Sequence, residues 1–172
     1  MLVQMKLKVV VDKDLLPLNP QQTLLRDEFE TYKRLSLAQT PKNFITPSVG
    51  DQMSFPAEHP SFGRDTEFER PESLINDIHK YRLTKVHVDT RATWQPHKKQ
   101  WYCTSNESIV YSGFITPGNT YIFVIIEFLI SHNAESPEKF DSHKSYTAKD
   151  VDHYLDVAAE NQEDILADQQ LK

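Results

Sequence analysis

The chain has 172 residues, of which 38% are hydrophobic and 26% are charged, and its formal net charge is −6 at pH 7. This length suits one globular domain over residues 1–172, and this composition excludes wholesale disorder. The single cysteine, Cys103, excludes an internal disulfide, so we expect a reducing, cytoplasmic location.

The net charge is unevenly distributed along the chain. Residues 150–172 hold seven acidic side chains and one lysine, which together account for the whole net charge. The window 62–102 is slightly basic instead. This distribution indicates an acidic helix on a neutral body, and it does not exclude a nucleic-acid partner.

The N-terminal third predicts one strand, one helix and a long irregular segment. Val3–Val11 alternates apolar residues with lysines, which is typical of a strand near a sheet edge. Asn19 followed by Pro20 predicts a helix start, with apolar residues at helical spacing up to about Leu35. Residues 36–61 contain four prolines, so we expect a long irregular loop or insertion, mobile or draped over the sheet. Its candidate anchors are Phe44, Val49, Met53 and Phe55.

The run Thr120–Ile130 organises the predicted fold. Its β-branched and aromatic residues at successive positions predict a central strand with both faces covered. We exclude a membrane span, because a span needs roughly 20 apolar residues and this run is about half that and contains Glu127. Ser108–Phe114 is also typical of a strand, and Thr116–Asn119 is typical of a turn, so the two runs predict an antiparallel hairpin.

Further elements complete the predicted domain. A short helix is expected from about Pro71, followed by strands at Leu83–Val88 and near Gln100–Cys103. Thr147 can cap a terminal acidic helix over 147–168, which should bury one apolar stripe and expose its acids. The stripe consists of Val151, Tyr154, Leu155 and Ala158. The order predicts an α+β fold with an antiparallel sheet of about four strands, flanked by the N-terminal helix and the acidic C-terminal helix.

No strong catalytic signature appears in the sequence. A Gly-rich phosphate loop, a nucleophile elbow and a zinc-type HExxH pattern are absent, and the histidines show no close pairing, so we expect neither a metal nor a cofactor. Three polar clusters remain: a turn at Phe62–Asp65 that offers Arg64, a strand at Lys85–Val88 that carries His87, and a strand end at Cys103–Asn106. Taken singly, each is more often structural, as a local ion pair, a half-buried strand residue and a capped turn.

The order of these clusters resembles that in the YafO family of bacterial toxins, from about Leu25 to Ala159. The motifs that carry the resemblance are Phe29-x-x-Tyr32-Lys33-Arg34, Phe62-Gly63-Arg64-Asp65, Val86-His87-Val88, Thr104-Ser105-Asn106 with Val110-Tyr111, the Tyr121–Ile130 strand and a final helix around Tyr154–Ala159. Members of this family are ribosome-dependent endoribonucleases, the toxins of type II toxin–antitoxin pairs, and they are related in architecture to the RelE toxins.

The resemblance implies a RelE/YafO-like fold, metal-independent cleavage of mRNA on the ribosome, and a cognate antitoxin as partner. Cleavage by the ribose 2′-hydroxyl needs a base, a cation beside the phosphoryl oxygens and an acid for the leaving oxygen. The resemblance implies His87 as base or acid, Arg64 as the cation on the same concave face, and Tyr111 or His132 as the remaining proton carrier. The implied RNA-binding residues are Lys85, Thr104, Ser105 and Asn106.

A second hypothesis comes from another class of function. The position before Thr104, commonly basic in the family, is Cys103 here, and the terminal helix is strongly acidic. These features favour a non-catalytic protein-binding module that keeps the toxin-like scaffold and uses the acidic helix or the 36–61 segment. We expect no membrane partner under either hypothesis.

Overall fold

A computed structural model of the protein describes residues 4–131 and 137–171, and within them it forms a five-stranded sheet with helices on both faces. The strands are β1 (Leu7–Val11), β2 (Phe62–Glu67), β3 (Thr84–Val88), β4 (Ser108–Ile115) and β5 (Tyr121–Leu129). The helices are α1 (Pro20–Gln39), α2 (Val49–Ser54), α3 (Ile75–Tyr81) and α4 (Ala148–Gln170).

The strand order is β1-β5-β4-β3-β2, which corrects the expected sheet of about four antiparallel strands. The predicted hairpin is present, since β4 and β5 pair antiparallel from Ser108↔Leu129 to Ile115↔Tyr121. β1 lies at an edge, as its lysines indicated, but it pairs in parallel with β5. β2 forms the other edge. The sheet is therefore mixed, with five strands and one parallel pair.

Two predictions beside β2 are wrong. Phe62–Asp65 is not a turn but most of β2, because its backbone pairs with β3, with an irregular register between Phe62 and Asp65. Gln100–Cys103 is not a strand. Gln100–Tyr102 forms a single 3₁₀ turn instead, in which the buried Gln100 amide donates to the Gly63 carbonyl at 2.9 Å.

The sheet face under α1 holds an aromatic core. α1 starts at the predicted Asn19 cap, where the Asn19 and Gln22 side chains form a capping box. Phe29 is fully buried, and its ring centroid lies 4.9 Å from that of Tyr111 and 6.0 Å from that of Phe123, both edge to face. Such pairs stabilise a core beyond the area that they bury.

The opposite face is covered by α3 and α4. A capping box of Thr147 and Asp150 starts α4. The expected stripe is buried and comprises Val151, Tyr154, Leu155 and Ala158. The expected acids are exposed and comprise Asp152, Asp156, Glu160, Glu163 and Asp164. Among the described helices, none combines the length and the apolar composition that a bilayer span requires.

The 36–61 segment contains more regular structure than an irregular loop. It includes the last turn of α1 and all of α2. Ile45, which the sequence analysis did not name, is buried in the core on the α1 face. Of the named anchors, Phe44 packs with its ring centroid 5.3 Å from that of Phe123. The other three are exposed: Val49, Met53 and Phe55. The description of this segment as an insertion stays a prediction, as does the single-domain organisation.

Candidate functional site

A cleft of about 420 Å³ lies on the α4 face of the sheet, beside the β2–β3 edge. It is lined chiefly by basic and aromatic side chains from β2, β3 and two 3₁₀ segments, together with Glu67 and Glu69. The basic and aromatic groups include Arg64, Lys85, His87, Trp101, His143 and Tyr146. A cleft that combines cations, imidazoles and aromatic rings suits a phosphate-containing ligand.

Strand alternation decides which side chains reach this cleft. On β3, Lys85 and His87 line the cleft, whereas Val86 belongs to the core under α1. On β2, Arg64 lines the cleft and Asp65 is fully buried. The structure therefore brings Arg64, Lys85 and His87 together on one concave surface, and their roles stay predictions.

Aromatic rings hold the two cations. The Arg64 guanidinium carbon lies 4.4 Å from the Trp101 ring centroid, and Arg64 Nε donates to the Trp101 carbonyl at 2.8 Å. Lys85 Nζ lies 4.3 Å from the Phe68 ring centroid, and burial lowers the pKa of this lysine. Among residues 4–131 and 137–171, no carboxylate forms a salt bridge with either cation. A cation–π contact orients a cation without neutralising it, so both charges remain available to an anion.

His87 is held as a neutral imidazole. Its side chain is buried, and its Nδ1 lies 2.8 Å from the Ser105 carbonyl oxygen and 3.1 Å from the Ser105 backbone nitrogen. Burial lowers the pKa of His87 to about 4, and the nearby His143, Arg64 and Lys85 act in the same direction. The Ser105 N–H can donate to an unprotonated Nδ1, whereas the contact with the Ser105 carbonyl needs a proton on Nδ1. We assign the proton to Nδ1 from the shorter contact, which makes Nδ1 the donor to the Ser105 carbonyl and leaves a lone pair on Nε2.

His143 and Tyr146 line the cleft, and the sequence analysis missed both. They come from the 3₁₀ turn Ser142–Ser145 and the residue after it. The ring centroids of His143 and His87 lie 5.9 Å apart, and His143 Nδ1 lies 2.7 Å from an Asp141 carboxylate oxygen. The one sequence signal for His143 is its i, i+2 spacing from Asp141, in a stretch without periodicity.

The predicted RNA-binding residues after Cys103 lie beside the cleft. Ser105 and Asn106 line a smaller cavity of about 190 Å³, and Thr104 is exposed and lines neither cavity. The Ser105 hydroxyl donates to the Val88 carbonyl at 2.7 Å, which ties the end of β3 to this turn. Ser105 therefore positions His87 through its backbone, while its hydroxyl is engaged within the protein.

Tyr111 lies on the other face of the sheet. It is fully buried in the core under α1, and its hydroxyl donates to Asp65 at 2.5 Å. A buried hydroxyl on that face cannot reach a phosphate in the cleft, which contradicts the proton-carrier role predicted for Tyr111. Its predicted alternative, His132, lies outside the described residues.

The described residues also bear on metal binding. Within 4–131 and 137–171, no three His, Cys, Asp or Glu side chains are grouped so as to hold a metal ion. The ionisable side chains that line the cleft are imidazoles, guanidiniums, an ammonium group, the Tyr146 phenol and the carboxylates of Glu67 and Glu69.

Comparison with known proteins identifies the family. No curated protein matches the chain, and no solved structure matches it. The model of one family, described as toxin YafO of the type II toxin–antitoxin system, matches residues 32–160. This range covers most of the chain and contains every residue that lines the cleft. The chain therefore belongs to the YafO family of type II toxin–antitoxin toxins.

Proposed function

We propose that this protein is a ribosome-dependent endoribonuclease that cleaves mRNA and so inhibits translation. Its family implies a cognate antitoxin as partner. The observation that supports the enzymatic part is the convergence of Arg64, Lys85 and a neutral His87 in one cleft. The proposal includes a RelE-like architecture, a reaction without a metal and a cytoplasmic location.

His87 is the proposed base. Because its imidazole is neutral at pH 7, Nε2 can accept the proton of the ribose 2′-hydroxyl. The Ser105 carbonyl holds the proton on Nδ1, which fixes the tautomer and stabilises the imidazolium that forms. The burial that lowers the pKa keeps the base unprotonated, and it limits how strongly the base accepts the proton.

Arg64 and Lys85 are the proposed anion-binding groups. Negative charge develops on the phosphoryl oxygens when the 2′-oxygen attacks, and fixed cations stabilise it most where water is partly excluded. The Trp101 ring and carbonyl hold Arg64 in place before a ligand binds. Because Glu67 and Glu69 also line the cleft, we expect the phosphate beside Arg64 and His87, away from these carboxylates.

The test is inducible expression in bacteria, with primer extension on a reporter message. The wild type should arrest growth and create new 5′ ends that disappear when translation of the reporter is blocked. Arg64→Ala and His87→Gln should abolish these ends at nearly unchanged melting temperature. The matched control is His153→Ala, which removes an exposed histidine of α4 that does not line the cleft.

Two outcomes would refute the proposal. One is folded wild-type protein that neither arrests growth nor produces translation-dependent 5′ ends. The other is loss of cleavage in the Arg64 and His87 variants only in proportion to loss of folded protein, because that result would make both residues structural.

A second candidate function rests on the exposed acids of α4. They include Glu160, which forms a 2.8 Å ion pair with Lys13, just after β1. The acidic part of α4 thus reaches the β1 edge of the sheet, whereas the cleft lies at the β2 edge. This position favours a protein-binding surface for a basic partner, separate from the cleft.

A further inference from the structure

The proposed reaction needs a second proton carrier, and among residues 4–131 and 137–171 the cleft contains one candidate imidazole besides His87. The leaving 5′-oxygen must receive a proton when its bond to phosphorus breaks. Tyr111 cannot deliver it, because its hydroxyl is buried on the other face of the sheet. His143 lines the cleft and keeps an exposed side chain.

We propose that His143, oriented by Asp141, is the general acid of the reaction and that it works together with His87. This inference rests on the proposed endoribonuclease function. It makes His143 a catalytic residue and Asp141 a positioning residue.

The geometry of Asp141 fixes the His143 ring. One carboxylate oxygen of Asp141 accepts from the His143 backbone N–H at 3.0 Å and lies 2.7 Å from His143 Nδ1. The Tyr146 ring packs edge to face on the imidazole, with centroids 5.4 Å apart. The Asp141 carboxylate accepts a hydrogen bond from Nδ1–H of His143, so the proton that the His143 imidazolium can give to the substrate is the one on Nε2.

The two imidazoles are spaced for one phosphate. Their ring centroids lie 5.9 Å apart and their planes are inclined by 42°. This separation permits each ring to form a hydrogen bond of about 2.6–3.2 Å to a different oxygen of the same phosphodiester. Arg64 lines the same cleft and can contact the non-bridging oxygens.

The protons and bonds of the step balance. The 2′-hydroxyl gives its proton to His87 Nε2, and the O2′–P bond forms while the P–O5′ bond breaks. His143 Nε2 gives its proton to O5′. The products are a 2′,3′-cyclic phosphate and a free 5′-hydroxyl. His87 ends as the imidazolium and His143 as the neutral imidazole, and exchange with water restores both.

The decisive test uses two substrates on programmed ribosomes and the full-length protein. One mRNA carries the normal linkage at the cleaved site, and the other carries sulfur in place of the 5′-bridging oxygen. A thiolate leaves without protonation, so this substrate does not need a general acid. The enzymes are the wild type, His143→Ala, His87→Gln and the control His153→Ala.

His143→Ala should cleave the normal linkage at least about 100-fold more slowly than the wild type, within the range typical of acid–base groups. It should cleave the sulfur-containing linkage at nearly the wild-type rate. His87→Gln should be slow on both substrates, and His153→Ala should match the wild type on both. Asp141→Asn should show a smaller loss than His143→Ala, with the same recovery on the sulfur-containing linkage.

Three outcomes would overturn the inference. If His143→Ala cleaves the normal linkage like the wild type, His143 is not needed. If it is equally slow on both substrates, it contributes binding or structure and not a proton. If the wild type itself cleaves neither mRNA, the proposed endoribonuclease function fails and the inference fails with it. The first two outcomes refute the inference alone, because the wild type still cleaves the normal linkage.

Discussion

Replacement of Lys33 by methionine should destabilise the fold severely, because this lysine is a fully buried charge. Lys33 Nζ donates to Asp65 at 2.7 Å, to the Tyr111 hydroxyl at 2.6 Å and to the Ile45 carbonyl at 2.8 Å. Asp65 also accepts from the Tyr32 hydroxyl at 2.8 Å. Burial lowers the pKa of Lys33, and the attraction of Asp65 opposes that shift.

The magnitude follows from the charge that the substitution leaves behind. Removing one partner of a buried ion pair typically costs about 3–5 kcal/mol, because the other charge stays buried without its counter-ion. Asp65 would keep hydrogen bonds from two tyrosine hydroxyls, so we expect the free energy of unfolding of Lys33→Met to fall by about 3 kcal/mol. The double variant Lys33→Met/Asp65→Asn should lose less than the sum of the two single variants.

Urea unfolding of the single and double variants measures these losses. The matched control is Lys13→Met, which breaks the exposed Lys13–Glu160 pair and should leave the free energy of unfolding nearly unchanged, because water and salt screen this pair. A Lys33→Met loss as small as that of Lys13→Met would refute the reasoning, as would additivity of the Lys33 and Asp65 losses.

Three further predictions concern the core and the cleft. Tyr111→Phe should lower the free energy of unfolding by about 1–3 kcal/mol, because it removes one donor from Asp65. Its cleavage rate per folded molecule should equal that of the wild type, and a slower rate would restore a catalytic role. Ile45→Ala should cost about 2–4 kcal/mol in urea unfolding and Phe55→Ala less than about 0.5 kcal/mol, because only Ile45 is buried. His87 binds protons more weakly in the folded chain than in the unfolded chain, so between pH 6.5 and about 4 the unfolded state takes up the proton first. Acidification across that window should therefore destabilise the wild type relative to His87→Gln by roughly 2–3 kcal/mol, and parallel pH profiles would contradict this.

Local sequence signals determined the elements that were predicted correctly. The caps at Asn19 and Thr147 place the starts of α1 and α4, because each satisfies backbone N–H groups that the first turn leaves free. The apolar run of β5 and the turn at Thr116–Asn119 predict the central hairpin, because two neighbouring strands need only a short connection. These features require no knowledge of distant contacts.

The errors arise where distant residues determine the structure. The sequence of β2 is typical of a turn because Gly63 and charged residues dominate it. The segment nevertheless forms the edge strand of the sheet and buries Asp65. Asp65 pairs with Lys33, not with its neighbour Arg64, so Arg64 lines the cleft without an ion pair to it. That partner choice depends on packing α1 against the sheet, and spacing along the chain does not reveal it.

The same reasoning explains why half of the candidate cleft could be predicted. Lys85 and His87 occupy alternate positions on β3, so they share one face of the sheet. The resemblance implied Arg64 on the same concave face, although its segment was predicted as a turn and is part of β2. His143 reaches the cleft through a 3₁₀ turn that follows a stretch without periodicity. Only the folded chain shows that this turn lies beside His87.

The acidic face of α4 gives the last prediction, which separates its two interpretations. Glu160, Glu163 and Asp164 are exposed on a helix whose apolar stripe is buried, so their reversal to lysine should leave the fold intact. If this face binds a basic segment of the antitoxin, the triple variant should bind the antitoxin more weakly and with a smaller dependence on salt, because steering by opposite charges is lost. Its cleavage activity should be unchanged, because the cleft lies at the opposite edge of the sheet. The control reverses three exposed acids elsewhere: Asp27, Glu58 and Glu72. Equal antitoxin binding and equal salt dependence in the wild type and the triple variant would make this face a solvated surface and would remove the main support for the protein-binding hypothesis.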